Sequence, residues 1–457
     1  MNLILDTDSY KLSHFAGYPA DAEIVYSYAE SRGGRYDELV FLGLQAFLMK
    51  YLSVPITQDN IEEAELFAKM HGEPFNREGW EHILNVHDGY LPLLIKAVPE
   101  GTVIPPHHIM ASVENTDPKL PWLTSYIETA LIRMWYPITV ASRIHKMKKR
   151  IKPYYDRTSD EGFMGFSILD FSSRGVSSFE SSQIGGLGHL ASFSGSDNIP
   201  AVLFARKYYG AEMAALSVPA TEHSIMTAFG QDNELESFKY LIEHMMPYGG
   251  ILSVVSDTWN VYEAARKWAS LAGHVRAKKG TLVVRPDSGD FREVLPTVLR
   301  ILHQGFGYTT NKKGFHVLND VKVLQGDGIT EDTAHIPFEI AEDMGISADS
   351  IMTGSGGGLM SHDIDRDTSK FAFKASHVIR NGVGMDIAKN PITDPGKRSK
   401  MGRLALVGED FDHYETVNIA DSIMHEMFDI LEPVYLNGKI VRYQTLDDIR
   451  QRLEASL

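Results

Sequence analysis

The sequence predicts an α/β protein built on a parallel barrel, and three observations carry that prediction. After Tyr155 the chain repeats strand, polar or glycine-rich loop, helix at intervals of roughly 30 to 50 residues, the spacing of successive βα units. Six of these strands end in acids, arginines, histidine or glycines, which in a parallel barrel would converge on one cavity. A barrel absorbs about 250 residues as one domain, so 457 residues leave room for a second. The expected division is an N-terminal domain over 1–155 and a barrel over 156–389.

In chain order, Leu3–Leu5 reads as a short strand running into a polar loop, Asp6 to Lys11, with several possible helix caps. A second strand, Ile24–Tyr28, leads to Glu30-Ser31-Arg32-Gly33-Gly34-Arg35. There a guanidinium can fork onto anionic oxygens while glycine lets the backbone approach, although a solvated turn reads equally well. Phe41–Tyr51 and Ile61–His71 have helical spacing, and Leu91–Val98 is a strand cut by Pro92. Trp122–Trp135 reads as one apolar helix interrupted by Arg133, and Arg143–Arg150 as the solvated basic face of a helix.

In the barrel region, Phe166–Leu169 leads to Asp170 and Phe171-Ser172-Ser173-Arg174-Gly175, and Leu252–Val255 leads to Ser256-Asp257. Leu282–Val284 leads to Arg285-Pro286-Asp287, Val321–Leu324 to Gln325-Gly326-Asp327-Gly328, and Ile351–Thr353 to Gly354-Ser355-Gly356-Gly357-Gly358. The remaining strand, Leu216–Val218 in the apolar run from Ala214, stops at Pro219 and delivers Glu222 and His223. Thr258–Ala272, Phe291–Gln304 and Thr330–Gly345 are the intervening helices.

The rim chemistry points to a phosphorylated sugar. Backbone amides of Gly354–Gly358 can face phosphate oxygens. Arg366, Lys374, Lys397, Arg398, Lys400 and Arg403 form a basic region within a chain of net charge −16, suited to a multiply phosphorylated ligand or to a plain basic loop. Asp257, Asp287 and Asp327 offer hard oxygens to Mg²⁺ or acceptors to ribose hydroxyls. No G-x-x-x-x-G-K-[ST] loop and no strand-borne G-x-G-x-x-G occurs, so a P-loop or Rossmann site is not supported.

The acidic balance argues against a nucleic-acid or anionic membrane surface as partner. The absence of cysteine rules out disulfides and thiolate metal sites. With no basic leader at Met1–Asp8 and no long apolar run, the expected location is cytoplasmic.

Taken in order, Asp8-Ser9-Tyr10-Lys11, Phe171 with Arg174-Gly175-Val176-Ser177-Ser178, Ser196-Asp197, Glu222-His223-Ser224, Ser256-Asp257, Arg285-Pro286-Asp287-Ser288-Gly289, Gln325-Gly326-Asp327-Gly328, Gly354–Gly358 and Lys397-Arg398-Ser399-Lys400 resemble the nicotinamide phosphoribosyltransferase family over nearly the whole chain. One departure is the pair Ser172-Ser173, where the family is associated with a glycine and an aromatic.

The resemblance implies an irregular α/β barrel of the type II phosphoribosyltransferase kind. Its second, α+β domain would be formed by the N-terminal part and completed by 390–457. A homodimer with sites shared across the interface is also implied. The implied reaction is nicotinamide plus phosphoribosyl pyrophosphate giving nicotinamide mononucleotide and pyrophosphate, with Mg²⁺ as cofactor and ATP as co-substrate, in NAD salvage.

By the same resemblance, Phe171 and a partner's Tyr10 would sandwich the pyridine ring, and Arg174 and Asp197 would hold the carboxamide. Arg285 and Asp287 would border the ribose, with Gly326 beside Asp327 at its hydroxyls, and Asp287 and Asp327 would face Mg²⁺. Gly356, Gly357 and Arg366, with a partner's Arg32 and Lys374, would bind phosphate, and Lys397 and Lys400 would contact polyphosphate. His223 would accept a phosphoryl group, oriented by Asp257 and flanked by Glu222.

Nicotinate phosphoribosyltransferase is the near alternative, with Asp197 as the discriminating residue. A barrel aldolase or lyase would call for a Schiff-base lysine or a histidine metal cluster at strand ends, and neither is found there. A non-catalytic nucleotide-binding protein would be expected to have lost His223, Asp257, Asp287 and Asp327, and all are present.

Overall fold

In the computed structural model, which describes residues 2–162, 164–393 and 398–457, the predicted strands lie side by side in one parallel sheet. Its order is Ile168–Asp170, Ile351–Ser355, Val321–Gln325, Thr281–Arg285, Ile251–Val255. Three single bridges, Asp170 to Ser196, Gly195 to Leu216 and Ala220 to Ser253, continue it from one edge round to the other and close a ring. Leu252, Val254, Val284, Val323 and Ile351 are buried, as strands covered on both faces require. The helix Phe291–Phe306 buries Leu295, Val298, Leu299 and Leu302, one stripe at helical spacing.

These strands belong to the second of two compact units, Arg143–Arg206 with Glu212–His362. The first comprises Met1–Ser142, Lys207–Ala211 and Asp363–Leu457. The expected boundaries after 155 and 389 therefore move to Ser142/Arg143 and His362/Asp363. The second shift has a clear cause: Phe371–Arg380 pairs antiparallel along Ala22–Ser31, which binds it into the first unit.

That unit is built on a seven-stranded antiparallel sheet, ordered Val383–Asp386, Phe371–Arg380, Ala22–Ser31, Ile109–Asn115, Leu93–Ala97, Glu432–Leu436, Lys439–Ile440. The C-terminal residues thus complete the N-terminal sheet.

Four local expectations are corrected. Leu3–Leu5 is a 3-10 helix, because the Asn2 side chain accepts from the Ile4 amide at 3.1 Å and gives the backbone a local partner. The Leu216–Val218 strand reduces to single bridges with Leu216 exposed, since Pro219 has no N–H to continue a ladder. Trp122–Trp135 is broken into Leu123–Tyr126 and Glu128–Ile132, and a new helix starts at Trp135. Pro137 explains the last break, as its ring would clash with the Arg133 carbonyl in a continuous helix.

The basic stretch is not a uniformly solvated face. Arg143 is buried, 3.5 Å from Glu331 and donating to the Gly358 carbonyl at 2.9 Å. No helix among the described residues is long and apolar enough to cross a membrane.

Candidate active site

The barrel unit contains a cavity of about 810 Å³ lined by Phe171, Arg174, Asp197, Glu222, Arg285, Asp287, Gly326, Gly356 and Gly357, together with Ser173, Gly175, Ala220 and Thr221. Residues widely separated in sequence meet here because each follows the carboxyl end of a strand or bridge. Phe171 is fixed by its amide to Ser355 O at 3.0 Å, and its ring lies where a Cβ on Gly354 would fall, 2.2 Å from the ring carbon. Glycine at 354 is therefore a packing requirement of Phe171. Gly326 plays the same part for Asp287, whose Oδ1 would sit 2.3 Å from a Cβ there.

The departure at Ser172 has a structural role. Ser172 is fully buried, its amide and Oγ both donate to Asp170 Oδ1, and Ser196 Oγ donates to Oδ2 at 3.3 Å. A buried carboxylate thus pins the loop carrying Phe171 and Arg174. Asp197 lies exposed to the cavity and accepts from Ser217 Oγ at 2.5 Å. Neither Asp170 nor Ser217 was assigned a site role from sequence. Ser217 was hidden inside an apolar run, where alternation was its only signal.

His223 is the first residue of the helix His223–Phe229, with Glu222 at the cap. Its Nε2 is 3.0 Å from Asp257 Oδ1, and the imidazole is about half exposed while the carboxylate is buried. Glu222 accepts from Ser224 Oγ. Arg285 donates to Thr221 O at 3.1 Å and stands 4.0 Å from Asp287. Burial pushes the Asp287 carboxyl above its ordinary range; Arg285 and His223 oppose this, while Asp257 and Asp327 reinforce it. His223, Asp257 and Asp327 do not line the cavity, but all three lie close enough to act on Asp287.

As a donor set these carboxylates fit Mg²⁺: they are hard oxygens, and one is only partly neutralised. They do not form a closed cage among the described residues. Among the described residues, the one trio of histidine and acidic side chains with ligand atoms within 4.8 Å of one another is His82, His87 and Asp117 in the other unit. This arrangement suits a cation that keeps waters and substrate oxygens in its shell.

The remaining predicted residues lie in the antiparallel unit. Glu30 is buried and accepts from Arg32 Nε at 2.9 Å and from Lys400 Nζ at 2.5 Å, and the Lys400 amide donates to Tyr28 OH at 2.8 Å. Tyr28 is also in register opposite Lys374. Burial pushes the Lys374 ammonium down; Glu128 opposes this, and the charges of Arg32, Lys389 and Arg366 add to it. Arg366 and Tyr10 are exposed. Lys397 lies outside the described residues.

A model of the nicotinate phosphoribosyltransferase (NAPRTase) family matches residues 166–432, and a model of the nicotinamide phosphoribosyltransferase N-terminal domain matches residues 2–95. A protein named nicotinamide phosphoribosyltransferase from Xanthomonas campestris pv. campestris (strain 8004) is 41% identical over 462 residues, covering 100% of this chain and 98% of that one. Its namesake from Acinetobacter baylyi is 33% identical over 501 residues, covering 98% and 96%.

Among solved structures, nicotinate-nucleotide pyrophosphorylase from Pyrococcus furiosus shares the fold with a TM-score of 0.64 at 17% identity, over 100% of this chain and 95% of that one. The irregular barrel is thus of the type II phosphoribosyltransferase kind. By its family match and its full-length relatives, the chain belongs to the nicotinate phosphoribosyltransferase (NAPRTase) family.

Proposed function

We propose that the protein joins nicotinamide to phosphoribosyl pyrophosphate, giving nicotinamide mononucleotide and pyrophosphate in NAD salvage. The observation that carries this reading is the lining of one cavity by an aromatic face, Phe171, a carboxamide-sized polar pair, Arg174 and Asp197, and a carboxylate beside an arginine, Asp287 and Arg285.

In the reaction the pyridine nitrogen bonds to C1′ while the C1′–oxygen bond breaks, and the electron pair leaves with pyrophosphate. Positive charge grows on the ribose, and Asp287 stabilises it electrostatically. The Gly356–Gly357 amides stabilise the leaving phosphates. Bound Mg²⁺, held by Asp287 and Asp327 with substrate oxygens, would add charge neutralisation.

ATP enters as co-substrate through His223. With Nε2–H donating to Asp257, the other ring nitrogen keeps its lone pair and takes the γ-phosphoryl group as ADP leaves. A homodimer is part of the proposal, a second copy supplying Tyr10, Arg32 and Lys374, as is a cytoplasmic setting, which a cysteine-free chain fits.

The test offers purified protein phosphoribosyl pyrophosphate and Mg²⁺ with nicotinamide or nicotinate, with and without ATP. Mononucleotide formed preferentially from nicotinamide, and faster with ATP, is the expected result. Preference for nicotinate would replace this reading with the acid-specific one, and no turnover of either would remove it.

A further inference from the structure

We propose that His82, His87 and Asp117 form a binding site for one divalent transition-metal ion of the zinc class, in the antiparallel unit and apart from the residues given to catalysis. His82 Nε2 lies 2.8 Å and His87 Nε2 2.7 Å from the same oxygen, Asp117 Oδ2. The imidazoles stand edge to face at 71°, centroids 5.7 Å apart, so their nitrogens converge instead of stacking.

The scaffold holds this convergence from three sides. His82 is on the helix Arg77–Val86, and His87 caps that helix with its amide donating to Ile83 O at 3.1 Å. Asp117 follows the strand Ile109–Asn115; its Oδ1 accepts from the Lys119 amide at 2.9 Å, and its backbone carbonyl accepts from Asn115 Nδ2 at 2.8 Å. Trp80 on the helix meets Trp122 edge-on at 4.9 Å, which locks helix to strand exit. The carboxylate is therefore oriented with Oδ2 toward both rings before any ion arrives.

The donor chemistry selects the class of ion. Two imidazole nitrogens and one carboxylate oxygen suit a borderline cation such as Zn²⁺ or Co²⁺, whereas Mg²⁺ and Ca²⁺ prefer oxygen alone. Side-chain exposures of 20%, 23% and 14% leave an open direction for a water as fourth ligand. A neutral imidazole need only shift its proton to Nδ1 to ligate through Nε2. Bond lengths of about 2.0–2.2 Å from each ligand to a tetrahedral metal would spread the nitrogen and oxygen atoms by roughly half an ångström or more, within reach of side-chain rotation.

Metal-free full-length protein titrated with Zn²⁺, and with Co²⁺ for its visible spectrum, should bind one saturable equivalent, with ligand-field bands of a nitrogen and oxygen site. Zn²⁺ should also raise the unfolding temperature. His82→Asn and His87→Asn should each weaken binding tenfold or more, roughly, and remove that rise while metal-free activity stays within about twofold. His303→Asn, at the separate His303–His316 contact of 2.9 Å, should leave the equivalent intact. The proposal is overturned by absence of a saturable equivalent, by its survival in both variants, or by its loss in His303→Asn. If a variant fails to fold, the wild-type Co²⁺ spectrum decides alone, since bands of an all-oxygen site would rule out imidazole ligation.

Discussion

The two units handle charge in opposite ways. The barrel rim presents acids, Asp197, Asp287 and Asp327, on short loops, all exposed or half-buried, with Asp197 held by the Ser217 hydroxyl and Asp287 facing Arg285. The antiparallel unit presents cations, and two of them, Arg32 and Lys400, are fixed by one buried carboxylate, Glu30, inside a ten-residue strand. An exposed acid at a loop can respond to a charge that appears only during reaction. Cations held by a carboxylate on a rigid strand suit a ligand whose charge is permanent, such as phosphate, because part of their side-chain entropy is already lost before binding.

The sharpest break of this contrast is at Asp287. Asp287→Ala should lower kcat/KM for nicotinamide mononucleotide synthesis by about a thousandfold, the scale of removing a preorganised electrostatic contact. Asp287→Asn should be similarly inactive yet more stable. A carboxyl whose folded pKa is raised favours the folded state less as pH climbs from its unfolded value through its folded one. The Asn variant lacks this cost, so its gain in Tm should be full at neutral pH and vanish as the pH falls below the ordinary carboxylate range. Activity within tenfold of wild type would show that the acidic rim is not the reactive pole.

Next in size is His223→Ala, which should reduce ATP hydrolysis to background and bring the ratio of synthesis rates with and without ATP to one. Persisting stimulation by ATP would place the phosphoryl acceptor elsewhere.

The strand-end acids were legible because a loop and the strand before it are neighbours in sequence, so Asp257, Arg285-Pro286-Asp287 and Gly354–Gly358 could be read locally. What could not be read depends on distant partners. Arg143 looked like part of a solvated face because the Gly358 carbonyl it meets is 215 residues away. Glu30 lay in a segment recognised as strand-to-loop, but its hold on Lys400 spans 370 residues. That bond needs the register of Ala22–Ser31 against Phe371–Arg380, which no local pattern encodes. The barrel itself was foreseen, yet its closure by three isolated bridges instead of full strands was not, because Pro219 and single hydrogen bonds leave little periodic signal.

Glu30 sharpens the other side of the comparison. Glu30→Gln keeps the shape but gives Arg32 and Lys400 a neutral partner, so both cations lose their fixed position. KM for phosphoribosyl pyrophosphate should rise about tenfold, matching the loss of charge-assisted hydrogen bonds of roughly 1.5 kcal/mol, with kcat changed less. A fall confined to kcat would mean that this cluster acts on the transition state and not on the resting phosphate.

The smallest effects separate charge from orientation at the acidic rim. Asp197 can accept from the N–H₂ of nicotinamide, whereas nicotinate brings a second negative charge to the same place. At about 4 Å such a pair repels by roughly 4 kcal/mol at a surface dielectric near 20 and roughly 1 kcal/mol in bulk water. Because Asp197 is exposed and the cavity it lines also holds the Arg174 cation, the lower part of that range applies. A preference for the amide of about five- to tenfold follows.

Asp197→Asn removes the charge, so the ratio of kcat/KM values should move toward nicotinate by about that factor. Ser217→Ala leaves the charge and removes only the hydroxyl that orients it at 2.5 Å. Losing a hydrogen bond of about 1 kcal/mol should cost nicotinamide about fivefold in kcat/KM, with no gain for nicotinate. If Ser217→Ala instead improved nicotinate, the hydroxyl would be setting the charge at Asp197, and specificity would rest on the pair and not on the carboxylate alone.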